Sequence, residues 1–188
     1  MQGDLSSGPP APVRPERNVV RVHHAVVALL RADEVVTDSQ LSNLGLHGER
    51  FPGLTMTIRP LPHSKAFCDV TFRALSRARL YAKPSMLPHQ AGLAATRQAL
   101  TATTAEWKVL GNSKSTCPDA EWHQDGRVIA VEYDAGYRQS VVRQKMQAFE
   151  EYDAVVWATP SPLRAERIQR KYPAVRVLTV DYWTACQT

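Results

Sequence analysis

A chain of 188 residues with 44% hydrophobic content holds enough apolar material for one good core, or one core and a small accessory module, which excludes an intrinsically disordered protein. The net charge of +5 favours an acidic partner, and the excess is local: residues 18–84 hold nine Lys+Arg against five Asp+Glu, whereas 85–188 hold twelve against eleven. Three scattered cysteines without C-x-x-C spacing signal neither a disulfide framework nor a zinc knuckle, and no apolar run is long enough to span a bilayer, so the chain reads as cytoplasmic with no membrane partner.

Residues 1–17 lack the apolar stretch of a secretion signal and are rich in Pro, Gly and Ser, the composition of a tail outside the fold. Over 20–31, Val22, Val26, Leu29 and Leu30 take the i, i+4, i+7, i+8 spacing of a helix with one buried stripe. Thr37 followed by Gln40 has the form of a capping box, and Leu41 and Leu44 supply the apolar face of a short second helix that Gly45 or Gly48 stops. Pro52, Pro60 and Pro62 forbid a continuous helix through 47–64, which reads as an inserted loop with an extended piece at 54–58. A third helix is predicted over 65–77, with Phe67, Val70 and Leu75 inward, followed by a short strand at 79–83. Three helices and a terminal strand outline a winged helix, so 18–84 is expected to be a small DNA-binding domain of that kind.

Pro84 and Pro88 mark the boundary to a second domain, 85–188. A helix over 89–103 is built on Leu93, Thr96 and Leu100, and a strand follows at 106–110. Two more strands, 118–123 and 127–134, are joined by a turn at Asp125-Gly126. Val142, Met146 and Phe149 keep helical spacing over 137–150; the apolar run 152–158 is that of a buried central strand. Ser161-Pro162 opens a helix to about 171, and a last strand covers 175–180.

The chemistry concentrates between Cys117 and Lys145. Side chains alternate along a strand, so Glu132 and Asp134 leave one face while Tyr133 points away. If the turn folds Asp119 back alongside, three carboxylates converge, and hard oxygens of that kind suit Mg²⁺ or Mn²⁺. Asp119, Glu132 and Asp134 are therefore candidate metal ligands and catalytic residues for phosphodiester cleavage, with Lys145 on the following helix as a candidate catalytic partner that stabilises developing negative charge. Lys65, Arg73, Arg77, Arg79 and Lys83 would form a basic DNA-binding face, Arg73 and Arg77 sharing one side of the predicted third helix. Arg138 and Arg143 could hold a phosphate backbone beside the carboxylates. Trp107, Trp122, Trp157 and Trp183 fall on predicted strands and read as core. No P-loop, and no Ser/His/Asp or Cys/His arrangement, is present in the sequence.

In motif and element order, 85–188 resembles the PD-(D/E)XK nuclease superfamily, whose acidic residues come from the second and third strands of the core. It departs at Asp134, where that superfamily usually has lysine; either Lys145 takes the lysine's place from the next helix or Asp134 joins Glu132 on a metal. The segments LPHQAGLAATRQAL, EWKVL and PDAEWHQDGRVIAVEYDAG resemble the replication-relaxation family over roughly 18–157. His89 matches that family's linking-helix histidine, and Asp119, Glu132 and Asp134 match its acidic positions; Ala135 and Tyr137 replace the more usual Arg and Thr. The resemblance implies a mixed α/β protein: a PD-(D/E)XK restriction-endonuclease-like core preceded by a winged helix. It further implies double-stranded DNA as partner, Mg²⁺ or Mn²⁺ as cofactor, and a place in plasmid or chromosome replication and DNA relaxation. A homodimer is compatible with this. The rival expectations are a non-catalytic DNA-binding or replication-control protein that keeps an inactive nuclease fold, and an RNA-directed nuclease of a defence system.

Overall fold

The structure, a computed structural model, describes residues 15–61, 64–111 and 116–184. The expected tail lies outside them up to residue 14, as do His63 and Cys186, while 15–17 already belong to the first helix. The described residues form a mixed α+β protein with two sheets and six α-helices. A long first helix, α1 (Pro15–Asp33), buries Val26 and Leu30. It leads into a two-residue strand, β1 (Val36–Thr37), and a short helix, α2 (Asp38–Asn43). The capping box is formed: Thr37 Oγ1 accepts from the Gln40 backbone N–H at 3.1 Å, and Gln40 Oε1 accepts from the Thr37 N–H at 2.8 Å.

The next stretch corrects the sequence expectation. The extended piece is a full strand, β2 (Gly53–Ile58), and the predicted third helix is strand β3 (Cys68–Arg73); the short strand expected at 79–83 is instead helix α3 (Arg77–Ala82). Val70 and Phe72 face inward while Asp69, Thr71 and Arg73 face away, a period of two that a helix cannot satisfy. Cross-strand hydrogen bonds Thr55–Thr71 at 2.8 Å and Thr57–Asp69 at 2.6 Å reinforce the register of β2 on β3. Phe67 and Leu75, the two apolar residues that suggested the helix, are 65% and 46% exposed. The result is a three-stranded antiparallel sheet in the order β1-β3-β2.

Helix α4 (Leu87–Ala99) opens the second half, followed by strands β4 (Trp107–Val109), β5 (Ala120–Gln124) and β6 (Arg127–Tyr133). Asp125 and Gly126 both take positive φ, 50° and 76°, which the tight hairpin between β5 and β6 requires. Helix α5 (Gln139–Ala148) crosses over to β7 (Ala154–Thr159), and α6 (Pro162–Lys171) to β8 (Arg176–Thr179). The five strands lie in the order β4-β5-β6-β7-β8; the first three are antiparallel, and β7 and β8 continue parallel to β6. All these elements match the sequence reading in type and order.

The two faces of this sheet are covered by different helices, as alternation demands. Ile129, Val131 and Tyr133 join the main core with Ala91 and Ala95 of α4, while Ala130 and Trp157 pack with Val142 of α5 and Ile168 of α6. Trp107 and Trp122 are buried in the main core and Trp183 packs partly against it, in line with their expected role. Gly92 lets α4 lie directly on the Tyr133 ring: a Cβ there would stand 2.1 Å from Tyr133 Cζ. The main core draws on both sides of Pro84, combining Val70, Phe72 and Leu80 with Leu87, Val131 and Tyr182. Thr37 Oγ1 donates to the Tyr182 carbonyl at 2.6 Å, and Gln40 Nε2 to that of Ala91 at 3.0 Å, so α2 is tied to both the second half and the segment after β8.

Candidate functional site

The carboxylates gather at one end of the inner strands β5 and β6 of the five-stranded sheet. Ala120 pairs with Val131, and the Asp119 N–H donates to the Val131 carbonyl at 3.0 Å, which sets Asp119, one residue before β5, across from Glu132 near the end of β6. Asp119 is buried; its Oδ2 accepts from the Tyr133 N–H at 2.9 Å, and its Oδ1 lies 3.1 Å from His89 Nε2 near the start of α4, without hydrogen-bond alignment. Glu132 is fully buried. Lys145 Nζ donates to its Oε2 at 3.0 Å and stands 2.9 Å from Oε1, and it donates also to the Cys117 carbonyl at 3.1 Å.

Burial pushes the Glu132 carboxyl up to about 9, and the charge of Asp119 adds to the rise; Lys145 and the Tyr137 hydroxyl pull the other way. The Tyr137 hydroxyl is itself held well above its ordinary range by burial and by the carboxylates of Glu132 and Asp119. These shifts share one physical origin, a dry pocket holding more negative charge than the single Lys145 amine balances.

Asp134 corrects the sequence expectation. It leaves the sheet on the same side as Glu132, as alternation requires, but both of its oxygens are already engaged. Oδ1 accepts from the backbone N–H groups of Gly136 at 2.8 Å and Tyr137 at 2.6 Å. Oδ2 accepts from Trp157 Nε1 at 3.1 Å and from Arg164 Nε at 2.7 Å, with Arg164 Nη2 also at 2.7 Å. Five donors leave no lone pair for an ion, so Asp134 is not a third metal ligand. Its role is to lock the loop after β6 to α6. Among the described residues no group of three or more His, Cys, Asp and Glu is arranged to hold a metal. Asp119 and Glu132 are less fully engaged: Asp119 Oδ1 has only the unaligned His89 Nε2 at 3.1 Å, and Glu132 Oε1 only the Lys145 amine at 2.9 Å.

The basic residues divide. Arg73 is not on a helix beside Arg77; from β3 it forms a bidentate pair with Asp38, both bonds at 2.7 Å, and donates to the Phe51 carbonyl at 3.1 Å. Arg77 starts α3, and Arg79 pairs with Glu34. Lys65, Arg77 and Lys83 are exposed, as are Arg138 at the cap of α5 and Arg143 within it. Arg79 and Lys83 line a cleft of about 350 Å³ that opens onto Asp119 and His89.

The fold brings Lys145 and Glu132 together. No residue spacing in the chain signals the contacts that His89, Tyr137, Trp157 and Arg164 make here. Only the Ser161-Pro162 signal bears on Arg164: Ser161 Oγ accepts from the Arg164 N–H at 3.4 Å, fixing that residue at the head of α6.

No protein-family model, curated protein or solved structure matches the chain. Among the described residues, no helix is long and apolar enough to cross a membrane.

Proposed function

We propose that the chain is a DNA-binding protein with a nuclease-like centre built on Asp119, Glu132 and Lys145. The observation that carries this reading is the Lys145 amine within 3.0 Å of both Glu132 oxygens, beside a second carboxylate across the strand pair. The order of α4, three antiparallel strands, α5 and a parallel fourth strand supports a PD-(D/E)XK-type core, with the lysine supplied from α5. The order of α1, β1, α2 and the β2–β3 hairpin supports a reduced winged helix that lacks a helix between α2 and β2. A role in replication or plasmid maintenance follows from the family resemblance and belongs to the same proposal.

Asp119 and Glu132 would hold Mg²⁺ or Mn²⁺, which when bound supplies positive charge that polarises a phosphodiester. Lys145 orients the Glu132 carboxyl group and would supply positive charge to a phosphate held beside it. His89 Nε2 lies 3.1 Å from Asp119 on the α4 side, and the Asp134–Arg164 pair keeps Tyr137 over the pocket. Arg79 and Lys83 line the approach to Asp119 and draw in the phosphate backbone.

Supercoiled plasmid incubated with Mn²⁺ tests this. Nicking by the wild type should fall at least about 100-fold in Asp119→Ala and Glu132→Ala, the size of effect expected when charge stabilisation of the transition state is removed. Absence of metal-dependent nicking by the folded wild type rejects the catalytic assignment. The second reading, a non-catalytic DNA-binding scaffold, is favoured by the complete burial of Glu132 and the engagement of Asp134 by structural donors; it expects DNA binding without nicking.

A further inference from the structure

A crevice of about 430 Å³ lies between α5 and α6 at the carboxyl ends of β6 and β7. In open sheets with parallel strands this is where ligands settle, and the volume is within the roughly 300–1,000 Å³ of ligand pockets. Its basic lining comes from one face of α6. Arg164, Arg167 and Lys171 recur at i, i+3 and i+7, with Ile168 between them turned to the core. Arg164 is neutralised by Asp134, but no ion pair joins Arg167 or Lys171 among the described residues, and no Asp or Glu lines the crevice. Lys171 is held with its Nζ 5.4 Å from the centre of the Tyr172 ring. Val142 lines the crevice from α5, and Leu163, four residues before Arg167 on α6, is a large apolar side chain left 64% exposed.

Two unpaired cations would ordinarily be a solvated face. Here they share a concave site with an exposed leucine and a tyrosine, which suits an anion that carries a flat apolar body. We propose that this crevice is a nucleotide-phosphate site: Arg167 and Lys171 take the phosphoryl oxygens, and Leu163 and Tyr172 pack against the base or sugar. Arg167 offers a planar fork to two phosphoryl oxygens and Lys171 a point charge to a third. The site uses neither Asp119 nor Glu132 and requires no cleavage, so it goes beyond the nuclease-like reading. Its ligand is a phosphate of a DNA strand or a free nucleotide, which present the same chemistry to the same residues.

The test is fluorescence anisotropy of a labelled short oligothymidylate at low salt in EDTA, where metal chemistry is silent and a failed nicking assay has no bearing. Arg167→Ala and Lys171→Ala should each weaken binding about tenfold, and each should flatten the logarithmic salt slope by roughly 0.7. Arg170→Ala removes the same charge from another face of α6, where Arg170 lines a different hollow with Glu166 and Gln169, and should leave affinity within about twofold. Competition by deoxyadenosine monophosphate supports a free or terminal nucleotide as the source; binding of the oligomer without such competition supports internal strand phosphates. Arg167 and Lys171 are exposed, so both variants keep the fold, which a thermal melt checks. Loss in Arg170→Ala equal to that in Arg167→Ala, or no binding of either probe by the wild type, overturns the proposal.

Discussion

Glu132 concentrates the chemistry of this protein in one side chain. It is wholly buried, faces the charge of Asp119, and has one amine to answer both. Its folded pKa, about 9, lies above the ordinary glutamate value of 4.5, so the protonated form is the one the fold favours. The contribution to stability is thus fully present below the unfolded value and is lost as pH rises toward the folded one. Measured against Glu132→Gln, which does not titrate, the wild type should lose ground in thermal melts taken from about pH 5 to about pH 8.5. A gap between the two proteins that stays constant across that range would show that Glu132 is not held neutral by its surroundings. Asp134 has the opposite character, with five donors around two oxygens. That contrast separates two carboxylates that the sequence presents as equals two residues apart.

At the scale of elements, the helix–sheet contact at Gly92 decides how closely α4 approaches β6. Gly→Ala within a helix ordinarily stabilises by about 0.8–1 kcal/mol. Here the added methyl would meet the Tyr133 ring, with its Cβ 2.1 Å from Cζ, and that ring is itself buried in the main core. Gly92→Ala should therefore destabilise by roughly 1–3 kcal/mol in urea titrations, an overpacking cost that reverses the propensity gain. Combining it with Tyr133→Leu should cost less than the two changes summed; strict additivity would mean that the ring is not the obstacle. The β3 segment teaches the complementary lesson. Phe67, Val70 and Leu75 have spacing compatible with a helical stripe, yet the pairing of Thr55 with Thr71 and of Thr57 with Asp69 makes 68–73 a strand. Those partners stand 16 and 12 residues apart, beyond the few-residue spacing on which a helical stripe is read.

For the molecule as a whole, the ion pair between Asp33 and Arg97 ties the end of α1 to α4. Both bonds are 2.7 Å, both side chains are nearly inaccessible, and Arg97 also donates to the Ala102 carbonyl at 2.8 Å. Burial raises the Asp33 carboxyl while Arg97 holds it down. Removing one partner leaves an uncompensated charge, so Asp33→Asn or Arg97→Met should cost about 3–5 kcal/mol in chemical denaturation. The paired change Asp33→Leu with Arg97→Met should cost less than either single, since no buried charge then remains. A double variant as unstable as the sum of the singles would mean zero coupling and would show that neither charge depends on the other for its compensation. This link, the shared core around Phe72, Leu87 and Tyr182, and the bonds from Thr37 to Tyr182 and from Gln40 to Ala91 all join the two halves.

The sequence by itself determined what short-range forces decide. The capping box at Thr37 and Gln40, the left-handed turn at Asp125-Gly126, the amphipathic helices, and the exit of Glu132 and Asp134 from one face all depend on neighbours within a few residues. Only the tertiary structure decided which charges meet. Lys145 reaches Glu132 because α5 crosses over between β6 and β7, and Arg164 takes Asp134 because α6 starts at the same end of the sheet, 30 residues further along the chain. Burial then fixes the outcome: away from water each carboxylate must keep whichever donor the fold delivers, and sequence spacing carries no record of that choice.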